Sequence, residues 1–493
     1  MRKRLQIWLV LMAAGLGVLV LAEPRQTEPP TAAPPAAAPP AAARPGPLVP
    51  EGPAPDLAIL YTGNAVGYVE PCGCPHNPAG GLGRRAGYAL LFKQKYPGTA
   101  VSIVETGDFA GDPGAAGRVK TRNLLDGMSQ MSYEALNLGE RELAAGLEEF
   151  EKQTEGFTLP FISANLVDRL SGENYRAPYV LRKHTLASGR AITIGYLGLN
   201  GLNSSFVKEA TGRVVIIKDP IEAARRFVPE LRPRVDLLVV LANINPRELT
   251  SVLSAVPGID LVLASQGTRL SPGSTLERIG EVPVFYSGDQ GKRIGEVRVT
   301  FGPKGTAPTM IGFQILLTRD VPPEPKLQAL VDSTIAEVNE INRKAAAAAP
   351  QPVVPAGRVP IPSDGPSSQP ATVMPYLTAE VCVTCHASEH EVYQKSAHAH
   401  ALSTLEAQKQ DYNPECVSCH VTGFGKPGGF VSSRQTPQLA GVQCEACHGS
   451  AFEHVQDPQK PFGNVPPRDC FTCHTKENSP DFVFFKYWQQ IKH

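Results

Sequence analysis

Between Cys382 and His474 one five-residue pattern, Cys-x-x-Cys-His, occurs four times: Cys382, Cys385 and His386; Cys416, Cys419 and His420; Cys444, Cys447 and His448; Cys470, Cys473 and His474. This is the spacing that attaches c-type haem. Two thiols three residues apart lie on one side of a helical turn, so both can form thioethers to the vinyl groups of a porphyrin while the adjoining histidine bonds the iron. Structural zinc is the rival, because four Cys-x-x-Cys pairs also make two tetrahedral thiolate sites. Zinc does not require a histidine directly after each second cysteine, and the chain has only 11 histidines in 493 residues. Four covalently bound haem c groups are expected.

The same stretch limits what can bind the far face of each iron. No methionine follows Met374, so the His/Met ligation of simple cytochromes c is excluded there. Histidine must serve, or the face stays open. Nine of the 11 histidines lie in this last quarter, and beyond the four motif residues they are His390, His398, His400, His454 and His493, five candidates for four irons. The aromatic cluster Phe482, Phe484, Phe485, Tyr487 and Trp488 suits packing against porphyrin faces.

A second group that could do chemistry is Cys72, Cys74 and His76, followed by Gly80, Gly81, Gly83 and the pair Arg84 and Arg85. Two thiolates and an imidazole could hold an additional soft metal such as Cu(I) or Zn(II). The plain alternative is a pair of buried thiols or a local disulfide. The arginines are expected to form a solvated turn.

These residues must be positioned by a chain of two or three domains. Residues 1–22 carry a basic start and an apolar run from Ile7 to Ala22, the pattern of a signal peptide or N-terminal anchor. No cysteine follows the run, so a bacterial lipid anchor is not expected. Residues 23–55 are a Pro/Ala-rich linker, extended and semi-rigid. Residues 56–344 alternate short β-branched strand segments (LAILYTG, AVSIVETG, FTLPFISANL, AITIGYLGL, VDLLVVLAN, IDLVLAS, VPVFYSG) with segments of helical spacing at 122–131, 144–153, 220–227 and 246–256, an α/β layered pattern. An amphipathic helix is predicted over 326–344. Residues 345–375 form an Ala/Pro/Ser-rich linker between two independently folded units, and 376–493 form the last domain, mostly α and irregular. Lys+Arg and Asp+Glu both number 47, a balance that argues against a nucleic-acid partner.

LYTGNAVGYVEP, VETGDF, LGERE, FISANL, VDLLVVLAN, IDLVLASQGT and VFYSGDQGKRIGEV resemble, in order, the strand ends of the calcineurin-like metallophosphatases, in particular their periplasmic 5′-nucleotidase branch. The resemblance implies a metallophosphatase-like fold, but the metal ligands depart from the family. Its Asp-x-His is Asn64 and Val66 here. Its Gly-Asp survives as Gly107 and Asp108. Its Asn-His-Glu is Glu140, Arg141 and Glu142; a lone histidine is Asn243; and its Gly-His-x-His is Ser265, Gln266, Gly267 and Thr268. Before residue 345 only His76 and His184 occur, too few for a dinuclear hydrolytic site. The expectation is a pseudoenzyme, a binding or docking module with no catalytic residue.

AEVCVTCHASEHEVYQKSAHAHAL, PECVSCHVTGFGKPGGF, GVQCEACHGSAFEHV, DCFTCHT and SPDFVFFKYWQQIKH resemble the tetrahaem cytochromes c typified by the nitrifier electron acceptor of hydroxylamine oxidoreductase. The resemblance implies electron transfer among close-packed haems, mostly with histidine on both iron faces. It favours His398, His454 and His493 as distal ligands; His390 and His400 remain candidates for the last iron or for the surface. Export to the periplasm or beyond is expected from the N-terminal segment and from haem attachment, which generally takes place outside the cytoplasm; redox partner proteins of the cell envelope are expected with it, and the resemblance adds a homo-oligomer or filament in some cases. A tether through residues 7–22 would anchor the chain to the inner membrane. Two rival expectations are an enzyme acting on a small nitrogen or sulfur compound at an open haem, and a metal-carrying or hydrolytic first domain that uses the haems as its redox supply.

Overall fold

The computed structural model describes residues 47–72, 78–202, 214–265, 277–303, 305–348 and 376–493, the last span without 461, 464, 476, 477 and 480. Cys74, His76, Gln266, Gly267, Thr268 and the 7–22 run lie outside the described residues. Among those described, no helix is long and apolar enough to cross a membrane.

Residues from Leu57 to Leu316 build two six-stranded sheets. In the first, Leu57–Thr62 lies parallel to Ala100–Glu105, which pairs in turn with Ala135–Asn137 and Phe161–Ile162. Arg293–Thr300 and Thr309–Leu316 extend the other edge antiparallel. The second is parallel through Val282–Tyr286, Leu261–Ala264, Leu237–Asn243 and Ala191–Asn200, with Glu277–Ile279 and Tyr179–Thr185 antiparallel at its edges. Strand alternation assigns the faces. Leu57, Ile59 and Tyr61 pack with Ile194, Tyr196, Leu237, Val239 and Leu241 between the sheets. Ala58 and Leu60 face outward under Phe92, Leu124 and Met128, while Leu238 and Val240 lie under Phe227 and Leu249. The result is four layers, helix, sheet, sheet, helix, with sheets buried on both faces as parallel sheets must be.

Most predicted strands are present, but FTLPFISANL is not one strand. Only Phe161–Ile162 and Leu166–Asp168 are extended, because Asn165 turns out of the sheet and donates its amide to the carbonyls of Asn200 and Lys218. The Arg84–Arg85 expectation is also corrected. Both sit in the helix Leu82–Lys95, and Arg85 is fully buried, where its charge offsets that of Glu105. Within that helix Gly87 serves packing: a Cβ there would lie 1.8 Å from the Pro322 carbonyl oxygen, so only glycine lets that chain cross the helix. The predicted 326–344 helix extends over Pro325–Ala348.

The last span folds as short helices: Ala379–Cys382, Ala387–Lys395, Ala401–Glu406, Pro414–His420, Cys444–His448, Phe452–Gln456 and Phe484–Ile491. Its largest apolar cluster has six buried members, Leu402, Leu405, Val417, Val421, Phe430 and Leu439. Pro47–His493 forms one compact unit, within which the sheets' part and the last span touch. Lys120 reaches both Glu70 and Glu415 at 3.2 Å, and Asn342 donates to the Tyr412 carbonyl at 2.9 Å.

Candidate functional site

Each Cys-x-x-Cys-His motif lies on a tight helical turn. The backbone N–H of His386 donates to the Cys382 carbonyl, and that of His474 to the Cys470 carbonyl, both at 2.9 Å. Cys416 to His420 close the helix Pro414–His420, which begins where the Asn413 side chain accepts from the Glu415 N–H. Proline at the first helical position suits a turn whose N–H has no partner there.

Three motif histidines each face a second imidazole. Ring centres are 6.2 Å apart for His386 and His454, 6.0 Å for His474 and His398, and 5.7 Å for His448 and His493. A metal held between two imidazoles by bonds of roughly 2 Å puts the ring centres about 6 Å apart. Second contacts fix the rings. The Nδ1–H groups donate to backbone carbonyls: His448 to Gly463 at 2.8 Å, His454 to Lys460 at 3.0 Å, His493 to Ile491 at 2.9 Å and His420 to Ala401 at 2.7 Å. That tautomer leaves Nε2 with its lone pair for a metal. Burial holds His474 and His398 below the usual imidazole pKa, and the neighbouring His474 and His420 add to the effect at His398. Both therefore stay neutral, as a ligand must.

His420 differs. Among the described residues no second imidazole pairs with it. His390 is buried beside Glu380 at 3.7 Å, and His400 is exposed. Both line a cavity of about 490 Å³ with Thr378, Tyr393 and Gln443.

The motifs lie in two adjoining pairs: Cys382 of the first is beside Cys444 of the third, and Cys419 of the second is beside Cys473 of the fourth. Glu415, which precedes Cys416 of the second motif, reaches Lys120 in the other part of the chain at 3.2 Å.

The strand ends of the first sheet carry the remaining site features. Asn64, Val66 and Asp108 adopt φ of 51°, 44° and 60°, a region that costs a β-branched residue such as Val66 the most. Asp108 Oδ1 accepts from the Arg141 N–H at 3.1 Å. Glu142, missed in the sequence as anything more than a replaced ligand position, accepts from the N–H groups of Asp108, Ala110 and Gly139 at 3.0, 2.9 and 2.6 Å. Burial, with the charge of Asp108, raises its carboxyl to about 8. Among the described residues no group of three or more His, Cys, Asp or Glu could hold a metal. Cys72 ends the two-residue strand Pro71–Cys72, with Sγ 3.8 Å from Gln290 Oε1; its partners Cys74 and His76 are not among the described residues.

Comparison with known proteins divides the chain in the same way. Residues 381–449 match the family of cytochrome c554 and c-prime, a match that implies covalently bound haem c and a multihaem cytochrome segment. The chain is 34% identical to cytochrome c-554 of Nitrosomonas europaea over 17% of its own length and 43% of that protein. It is 25% identical to a 2′,3′-cyclic-nucleotide 2′-phosphodiesterase/3′-nucleotidase of Salmonella typhimurium, over 35% of this chain and 30% of the relative. The chain therefore spans less than half the length of each of these relatives. Among solved structures, the sulfate thiohydrolase SoxB of Thermus thermophilus superposes with a TM-score of 0.51 at 15% identity, covering 59% of this chain and 62% of that one. The four-layer part thus has a metallophosphatase-like α/β fold.

Proposed function

We propose that the chain is an exported electron-transfer protein that carries electrons through four covalent haem c groups, in the periplasm or outside the cell, between redox proteins of the envelope. The observation that carries this reading is the set of three imidazole pairs, each joining a Cys-x-x-Cys-His histidine to a second ring at the spacing two iron bonds require. Haem, when bound, supplies a one-electron iron couple. The chain's own work is to hold it: His386 with His454, His474 with His398, and His448 with His493 bind both faces. Carbonyl acceptors lock the tautomers of His448, His454 and His493, and the sulfur neighbours support first beside third and second beside fourth. His420 supports a second reading at one site, an open face on the second haem where a small nitrogen or sulfur compound could bind. The four-layer part is a non-hydrolytic binding or docking module, supported by the substitutions at Asn64, Val66, Arg141 and Asn243. A soft metal at Cys72, Cys74 and His76 remains part of the proposal, as does membrane tethering by residues 7–22.

Protein exported from a haem-attaching host is expected to weigh the polypeptide plus four haems, and CO to bind about one ferrous haem in four. Deleting His493 should raise that count to about two in four and convert one haem to high spin. A colourless, zinc-bearing product would end the haem reading; an unchanged CO count after deletion would end the assignment of His493.

A further inference from the structure

Polar contacts between the four-layer part and the last span gather on one short stretch, Lys409 to Glu415, which leads into the second Cys-x-x-Cys-His motif. Asn339 and Asn342, on the helix Pro325–Ala348, donate to the Lys409 and Tyr412 carbonyls. Lys409 adopts φ of 56°, a conformation that costs a non-glycine residue and persists where its surroundings hold it. Asn413 is buried. Its Oδ1 accepts from the Glu415 N–H at 3.1 Å, and its carbonyl accepts from the Cys416 and Val417 N–H groups at 3.0 and 2.9 Å. Its Nδ2 donates to Gln410 Oε1 at 2.9 Å and reaches Glu70 Oε1 at 3.5 Å. The helix Pro414–His420 thus starts on a cap that the four-layer part holds.

Lys120 completes the junction, 3.2 Å from both Glu70 Oε1 and Glu415 Oε1. Lys120 and Glu70 are buried, and Glu70 Oε2 has no hydrogen-bond partner. Two carboxylates and one ammonium leave one net negative charge where the motif begins. Apolar groups hold a buried junction together at least as well as such charges do, so adhesion alone does not call for them. Two things do. The motif held here is the one whose histidine has no second imidazole among the described residues, so its own helix must place it. The charges also bring a field: shielded from water, they act further than surface charges, and a net negative one stabilises the more positive, ferric state of a nearby iron.

We propose that the four-layer part docks on the second motif of its own chain, with Lys120, Glu70 and Asn413 as positioning residues for His420 and the junction's net negative charge favouring ferric iron there. This names the partner of the docking module and rests on the haem-carrying reading above.

The test is a potentiometric titration, at about pH 8, of the full-length holoprotein and its Glu70→Gln, Glu415→Gln, Lys120→Met and Lys120→Arg variants, each checked by mass for four haems. Removing either carboxylate is expected to raise one of the four midpoints, removing the ammonium to lower the same one, and Lys120→Arg to leave it in place. The other three midpoints should move less than about half as far. Glu70→Gln is the sharpest variant, because it alters no residue of the haem-bearing span. Should Lys120→Met not fold, the two carboxylate variants keep the comparison. Shifts of one sign on removing either kind of charge, equal shifts at all four haems, or an unmoved midpoint in Glu70→Gln would overturn the proposal. Absence of haem from the purified protein would instead overturn the reading on which it rests.

Discussion

Glu142 turns a carboxylate toward three backbone N–H groups of the loops that carry Asp108 and Gly139. Used this way, it organises the loop and is no longer free to hold an ion. Gly139 leaves little room either, since a Cβ there would lie 2.2 Å from Asn243 Nδ2 and 2.3 Å from Asp108 Oδ1. A two-metal hydrolase needs several ligands around open space for ions and water. The full chain supplied with Mn²⁺ or Zn²⁺ is therefore expected to show no turnover of nucleotides or aryl phosphates above background. Chelator-sensitive hydrolysis that disappears in Asp108→Ala would refute this. At this scale, the attachment motifs were legible because covalent haem chemistry acts within five residues. His398, His454 and His493 could be singled out by resemblance, and each now lies opposite a motif histidine. The burial of Arg85 was not legible, because Glu105, Tyr133 and Gly291, which surround it, come from other elements of the chain.

Among elements, the helix Ala115–Gln130 does more than cover a sheet. Its outer residues pack on the long helix Pro325–Ala348, and Lys120 bridges Glu70, from the loop after the first strand, to Glu415, from the second motif's helix. Burial disfavours the Lys120 charge, but the two carboxylates outweigh it and hold the amine above its usual pKa. Removing the cation leaves two carboxylates facing each other in a largely buried junction, a change that costs about 3 kcal/mol after allowing for the third of Glu415 that water reaches. Lys120→Met is expected to lower the denaturant midpoint accordingly, and adding Glu415→Gln should restore part of the loss. Equal stability of the single and double variants would show that the junction does not depend on this charge. The strands were readable from β-branched runs, but this bridge was not. Lys120 sits in a helix whose pattern only asks for a polar residue there, and Glu415 looks like an ordinary acidic first-turn residue.

Across the whole molecule, apolar burial is unevenly shared. The four-layer part has three large clusters, whereas the last span has one of six buried residues. There Phe485 and Val483 are 78% and 55% exposed, and Phe471 50%. A span this poor in side-chain core cannot offset the entropy of ordering its short helices unaided. On the proposed reading, haem would supply large apolar faces, and each pair of imidazoles would tie two distant segments through one iron. The chain made without haem attachment is therefore expected to keep the sheets intact while residues 376–493 are cut by thermolysin within minutes, on the order of a hundredfold faster than in the holoprotein, a ratio equivalent to about 3 kcal/mol of local stability. Mapping the fragments by mass would locate the cuts. Equal resistance of the haem-free and haem-bearing chains would mean that the helices hold themselves together, and that the imidazole pairs follow from the fold rather than serve as the ties that complete it.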